Sequence, residues 1–339
     1  MDENNDLELG SQEYIGREMT DIEKANYDAI QDRQNPSADR ILGLYFPVLD
    51  HGFVALKDYC GSDAAIAQAA RCSYGAGTRA ISDDRNLIRY LVSHKHTSPL
   101  EQCELKFHMK LPIMVARQMI RHRTASVNEI SGRYSIMPLQ FYTPEIQDIK
   151  NQSKFNKQGR DDAVDTKIAV DFTINLDKGR EVIKEGYVSA LKCDIARELA
   201  RIDLPLSTFT EWYWKMDLNN LMHLLSLRCD GHAQWEIRQY ANLIAGITKY
   251  VAPSAYEAWI DYAYSAVSFS RQERILLNSQ EKPTQEKALE LGMSKREWNE
   301  FLEKIHYDGS IPDFNLDISK AKSPEFFRKE AEKYVPEIG

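Results

Sequence analysis

Between residues 103 and 110 apolar and polar side chains alternate: Cys103, Leu105, Phe107 and Met109 fall on one face, and Glu104, Lys106, His108 and Lys110 on the other. A period of two predicts a half-buried strand. Elsewhere the spacing is helical. Ala64, Ala65, Ile66, Ala69 and Ala70 behind the cap-like Ser62-Asp63 predict one helix. Leu87, Ile88, Leu91 and Val92 behind Ser82-Asp83-Asp84 predict a second, ending near His94-Lys95-His96. Ser98-Pro99-Leu100-Glu101 has a hydroxyl cap, a proline at the first helical position and a carboxylate three residues after the cap, and it reads as a helix start or as a turn.

Pro112 opens a further helix in which Val115 and Met119 share a face, and which delivers Arg117, Gln118, Arg121, His122 and Arg123 near its C-terminal end. Another helix is predicted across 178–201, followed by Phe209, Trp212 and Trp214 in a more extended stretch. Asp217-Leu218-Asn219-Asn220 resembles a capped start, with Leu221, Leu224, Leu225 and Leu227 as its apolar stripe. His232 to Tyr250 continues as helix, closed by Pro253. The charged stretch 271–339 carries a helix signal at Ser294-Lys295-Arg296-Glu297 and no constellation attached to chemistry.

Two stretches are too polar for a core. The first forty residues are an acidic appendage, and residues 147–171, rich in Lys, Asp, Asn and Gln, have the composition of a surface insertion. Composition adds three constraints. With 339 residues, 43% hydrophobic and 28% charged, there is apolar material for one large domain or two smaller ones. No run of about 18 apolar residues occurs, and Met1-Asp2-Glu3-Asn4-Asn5-Asp6 lacks the regions of a signal peptide, so a cytoplasmic protein is expected, without a membrane span. Cys60, Cys72, Cys103, Cys193 and Cys229 are odd in number and form no C-x-x-C pair, which points to free thiols.

The net charge of −8 is uneven. Residues 1–40 carry eleven acidic and four basic side chains, leaving the rest nearly neutral. A nucleic-acid binder needs a basic face, so none is expected here, although a local cluster can still bind one small phosphate.

That cluster is Arg121-His122-Arg123-Thr124-Ala125-Ser126-Val127-Asn128-Glu129-Ile130-Ser131-Gly132-Arg133-Tyr134. Guanidinium forks match phosphate oxygens, and burying three of them without anions is costly. Gly132 lets backbone approach a ligand closely, and Glu129 adds an acceptor able to select a uracil N–H or a sugar hydroxyl. A nucleotide suits this set better than phosphate alone.

R-H-R followed after seven positions by Ser-Gly-Arg-Tyr resembles the signature of the flavin-dependent thymidylate synthases. The resemblance spans about residues 50–265 and takes in Ala70-Arg71-Cys72-Ser73, His94 to Glu101, Ala116-Arg117-Gln118, Arg201 to Pro205, Asp217 to His223 and Leu227 to Ile237. It implies an α+β fold of mixed helices and antiparallel sheet, assembled as a homotetramer whose active sites draw on more than one subunit. It also implies three parts: an acidic extension over 1–45, a catalytic domain over 46–270 carrying the 147–171 insertion, and a helical extension over 271–339.

By position, Arg121, His122, Arg123 and Thr124 look like the segment that holds FAD, joined by Ser98, Glu129, Asp217, Leu218, Asn219 and His223. Ser98 stands where threonine is frequent and keeps the hydroxyl; Asp217 and His223 stand where some members have asparagine. Gln118, Met119, Ile120, Arg121, Glu129, Ile130, Ser131, Gly132, Arg133, Arg201 and Arg228 resemble the dUMP-binding set. Arg228 matches the residue that promotes ionisation at pyrimidine N3, and His96 a histidine near flavin and folate. The reaction so implied is methylation of dUMP to dTMP, with methylenetetrahydrofolate as carbon donor and NADPH as reductant. Ser131 is then expected to bind rather than attack, and Cys229 to be a buried free thiol rather than a nucleophile.

Rival readings are a metal-dependent hydrolase, a non-catalytic nucleotide-binding module, and another flavin reaction on a pyrimidine nucleotide. The first would use His94, His96, His108 and His122, but no carboxylate stands at H-E-x-x-H spacing, so no metal is expected.

Overall fold

The computed structural model describes residues 35–72, 83–154, 159–311 and 314–338, with isolated positions before residue 35. Most of the acidic appendage, together with Ser73 and Ser82, lies outside the described residues.

Five antiparallel strands form the central sheet: β1 (Tyr45–Val48), β2 (Gly52–Cys60), β3 (Glu104–Pro112), β4 (Ser126–Glu129) and, after a small hairpin β5 (Lys150–Gln152) and β6 (Arg160–Ala163), β7 (Phe209–Asp217). Their spatial order is β1-β2-β3-β7-β4. The alternation read from residues 103–110 is met: Leu105, Phe107 and Met109 are buried opposite Met216, Trp214 and Trp212 of β7. The other face of β3 is polar but organised. His108 is bonded to the Tyr45 hydroxyl (2.8 Å) and to Glu211 (2.7 Å) and stacks on Tyr213.

Helices α1 (Asp63–Arg71), α2 (Asp84–Ser93), α3 (Ile113–Met119), α6 (Leu218–Arg228), α7 (Trp235–Val251) and α8 (Pro253–Trp259) build the main core with the sheet's apolar face, whereas α4 (Thr166–Lys192) and α5 (Arg197–Ala200) pack on a separate cluster of Met137, Leu139 and Phe141. The α+β expectation holds. Helix α7 is the central member, with Ile237, Tyr240, Ile244, Ile247 and Val251 fully buried at helical spacing. Helices α9 (Arg271–Leu277), α10 (Gln285–Glu290) and α11 (Lys295–Ile305) enclose a separate small cluster around Trp298 and Phe301, and Ser294 and Glu297 form the capping box read from the sequence. Further on, Phe314 and Leu316 enter the main core, and Phe327 of α12 (Pro324–Glu332) packs on Tyr45 and Phe53.

Of the two readings of Ser98-Pro99-Leu100-Glu101 the turn is the one found, a single 3₁₀ turn over Leu100–Gln102 just before β3. Several boundaries differ from expectation. The helix expected across 178–201 starts at Thr166, inside the polar segment, and is broken where Asp194 adopts φ 57° before α5. Pro253 opens α8 instead of merely closing α7. Leu227, placed in the apolar stripe of α6, is exposed; Leu221, Leu224 and Leu225 face the core.

Candidate active site

Two structural devices present the histidines and amides of one cavity. Helix α2 ends in a Schellman turn: His96 N donates to Leu91 O (2.8 Å), Lys95 N to Val92 O (3.1 Å), and Lys95 takes φ 59° where glycine is usual. The turn throws His96 and Thr97 back over the helix. Helix α6 starts with Asp217, whose carboxylate accepts Asn220 N (2.9 Å) and Asn220 Nδ2 (2.8 Å). Leu218 N is tied to Cys103 O (2.7 Å) and its side chain fills the core. Thus fixed, α6 turns Asn219, Met222, His223 and Ser226, at i, i+3, i+4 and i+7, toward His96 across a cavity of about 280 Å³. Ser98, two residues past His96, is exposed.

The signature follows α3. Met119 is buried, Ile120 is exposed, and His122 meets the end of α6, where Arg228 Nε donates to its Nε2 (3.0 Å). The His122 and His223 rings lie 6.5 Å apart. Burial, then the nearby Arg228 and His223, hold the His122 pKa down to about 4, so at neutral pH it is uncharged and accepts that bond. Burial also lowers the pKa of Arg228, though a guanidinium stays protonated. Arg121, Arg123 and Thr124 are exposed, and among the described residues neither arginine has an ion-pair partner.

Beyond edge strand β4 the chain builds a second cluster. Glu129 accepts the Thr210 hydroxyl (2.5 Å), and Ile130 N donates to Glu211 O (2.8 Å), so the strand runs on past its last residue. Ser131 O accepts Tyr134 N (3.0 Å) in a tight turn that presents Gly132. A Cβ on Gly132 would lie 3.1 Å from Arg201 Cδ, a tight contact that glycine avoids where Arg201 rests on this turn. Arg133 pairs with Glu198 (3.3 Å), and Arg197 Nη1 donates to Tyr134 O (2.5 Å). Arg133 and Arg201 therefore share one cluster, and Arg228, His122, His223, Asn219 and His96 form the other.

Sequence reasoning placed Gln118 in the site but missed its partners. Gln118 Nε2 donates to Gln234 Oε1 (2.5 Å), and Gln234 Nε2 to Glu236 Oε2 (2.8 Å). Glu236 is buried and also takes Arg160 and the Tyr142 hydroxyl. A carboxylate directly beside core-facing Ile237 was the available signal; nothing marked Arg160. Of the cysteines, Cys229 is 4% exposed and its thiol is pushed up by burial, while burial raises Cys103 to about 12. Among the described residues no group of three His, Cys, Asp or Glu is arranged to hold a metal ion, and no helix is long and apolar enough to cross a membrane. A larger cavity, about 790 Å³ between the β1–β2 turn and α7, is lined by none of the residues expected to bind cofactor or substrate.

An antiparallel sheet capped by helices gathers guanidinium groups and imidazoles beside a cavity, an arrangement suited to an anionic ligand. Comparison with known proteins makes this specific. Residues 55–254 match the family described as thymidylate synthase complementing protein. Flavin-dependent thymidylate synthases from Wolbachia pipientis wMel and Treponema denticola are 46% and 54% identical to the chain over 264 and 229 residues, which is 78% and 67% of this chain and 93% and 86% of theirs. A UMP/dUMP methylase, PolB from Streptomyces cacaoi, solved with 5-Br UMP, superposes with a TM-score of 0.58 at 31% identity, over 65% of this chain and 98% of that one. The chain belongs to the flavin-dependent thymidylate synthase family.

Proposed function

We propose that this protein converts dUMP to dTMP in the cytoplasm as an FAD-dependent thymidylate synthase and homotetramer. Methylenetetrahydrofolate gives the carbon and NADPH the reducing equivalents. The observation that carries the reading is the Arg228–His122 pair beside His223, which lines a cavity together with His96. With Nε committed to a neutral imidazole, the remaining N–H groups of Arg228 can face a pyrimidine and stabilise negative charge as it develops there. Arg133 and Arg201, beside the close-packed Gly132, supply the charge that a nucleotide phosphate requires. Glu129 and Gln118 add hydrogen-bonding contacts that distinguish base and sugar from phosphate.

The residues present fit a flavin dinucleotide. Exposed Arg121 and Arg123 suit its pyrophosphate, while His96, Asn219 and His223 line a partly apolar wall for its ring. About 280 Å³ is less than the roughly 300–1,000 Å³ of typical ligand pockets, so one chain encloses only part of such a cofactor. When bound, FAD supplies the hydride chemistry that no side chain can perform. The protein orients the partners and excludes water. Cys229, buried and held as the neutral thiol, is unsuited to attack.

Incubation of the purified chain with FAD, NADPH, dUMP and methylenetetrahydrofolate is expected to release dTMP together with tetrahydrofolate, and Cys229→Ala is expected to do the same. Dihydrofolate formed in step with dTMP, or loss of turnover in a Cys229→Ala protein that still binds FAD and dUMP, would refute the assignment.

A further inference from the structure

Hairpin β5–β6 belongs to the polar stretch with the composition of a surface insertion, yet one of its side chains reaches a buried group. Arg160 Nη2 donates to Glu236 Oε1, Nη1 donates to Asp148 O (3.0 Å), and the guanidinium carbon lies 5.7 Å from the centre of the Trp235 ring. The Glu236 side chain is 1% exposed and that of Arg160 30%. A buried carboxylate deprived of its cation is costly, and it escapes that cost by taking a proton or turning away.

The charge on Glu236 dictates the order of the neighbouring amides. An ionised carboxylate only accepts, so Gln234 must turn its NH₂ to Glu236 and its carbonyl oxygen to Gln118. Gln118 then turns its NH₂ to Gln234 and its carbonyl oxygen away from the chain of bonds. Were Glu236 protonated or replaced by an amide, either glutamine could be reversed.

We propose that Arg160 is a positioning residue for the nucleotide: by pairing with the buried Glu236 carboxylate it fixes the polarity of the Gln234–Gln118 chain and so the face that Gln118 offers to substrate. The proposal rests on the reading of Gln118 as a dUMP contact. The group it presents is an acceptor, suited to a sugar hydroxyl or a ring N–H and not to an ionised phosphate, which has no proton to donate.

The test is steady-state kinetics of the flavin-loaded full chain for Arg160→Gln, Arg160→Lys, Glu236→Gln, Gln118→Ala and the double variant Arg160→Gln/Gln118→Ala. Arg160→Gln and Glu236→Gln should each raise KM for dUMP about three- to tenfold while kcat stays within about twofold. Arg160→Lys, which keeps the cation, should recover most of the loss. In the Gln118→Ala background Arg160→Gln should add nothing to KM, since both act through one contact. An Arg160→Gln enzyme with lowered kcat and unchanged KM, or a KM effect that multiplies with that of Gln118→Ala, overturns the proposal. If Arg160→Gln does not fold, the Arg160→Lys and Glu236→Gln proteins carry the same comparison. Failure of the underlying reading looks different: the wild-type chain makes no dTMP, or Gln118→Ala binds dUMP as tightly as wild type, and the proposal falls with it.

Discussion

His122 sits where a charged imidazole is disfavoured by burial, by Arg228 3.0 Å from its Nε2 and by His223. Its folded-state pKa, about 4, lies below the ordinary value of 6.5. The unfolded chain therefore takes up a proton at this residue before the native protein does. The stabilisation from a neutral His122 is complete above pH 6.5 and is lost progressively as pH falls from 6.5 toward 4. His122→Gln keeps an acceptor for Arg228 but cannot titrate. Thermal melts at pH 7.5 and pH 5 should show the variant gaining on wild type at the lower pH, and a wild-type-to-variant difference that stays constant between the two sinks this account. The same residue illustrates what single positions disclose. Arg121, His122 and Arg123 were legible as a site because three costly side chains stand together, whereas neither the neutrality of His122 nor its contact with Arg228, 106 positions away, has any local signal.

Secondary elements were legible where one face is buried and obscure where none is. Strand β3 and helix α6 follow from alternation and from the Asp217 cap, both set by neighbours in sequence. Helix α4 was placed too late because most of its surface meets solvent: Ile168 is 60% exposed, and Asp165, accepting Lys167 N, starts the helix within an otherwise featureless polar run. Ser62-Asp63 shows a subtler case. Ser62 makes no cap bond to α1, and the Asp63 carboxylate instead accepts Ser254 N (2.7 Å) and Ala255 N (3.1 Å), capping α8 from across the fold. Burial raises the Asp63 pKa, so the acceptor geometry matters more than the charge. Asp63→Ala should cost about 1–2 kcal/mol in denaturant unfolding, Asp63→Asn much less, and Ser62→Ala next to nothing. Equal losses for Asp63→Ala and Ser62→Ala would show the cap assigned to the wrong residue.

At the scale of the whole molecule, the signature lies on an edge that a single chain leaves open. Strand β4 is exposed along its length, Val127 within it and Ile130 just after it expose apolar surface, as do Ile120 at the end of α3 and Leu227 at the end of α6, and Tyr134 is 74% exposed. Monomers seldom leave an unpaired edge and clustered apolar side chains uncovered. The homotetramer proposed above would cover both, and would also account for Arg121 and Arg123, which have no ion-pair partner among the described residues, and for a cavity too small for a dinucleotide. The purified 39.0 kDa chain should therefore run as an assembly of about four copies in light scattering. If the His96 cluster of one chain meets the Arg133–Arg201 cluster of another, two crippled chains can complement. His96→Ala and Arg133→Ala, each weak alone, should yield co-expressed hybrids more active than the sum of the two, because some sites then contain neither substitution. In sites built from one chain every site carries a lesion and mixing restores nothing. A fully active monomer, or hybrids no better than their parents, excludes a shared site.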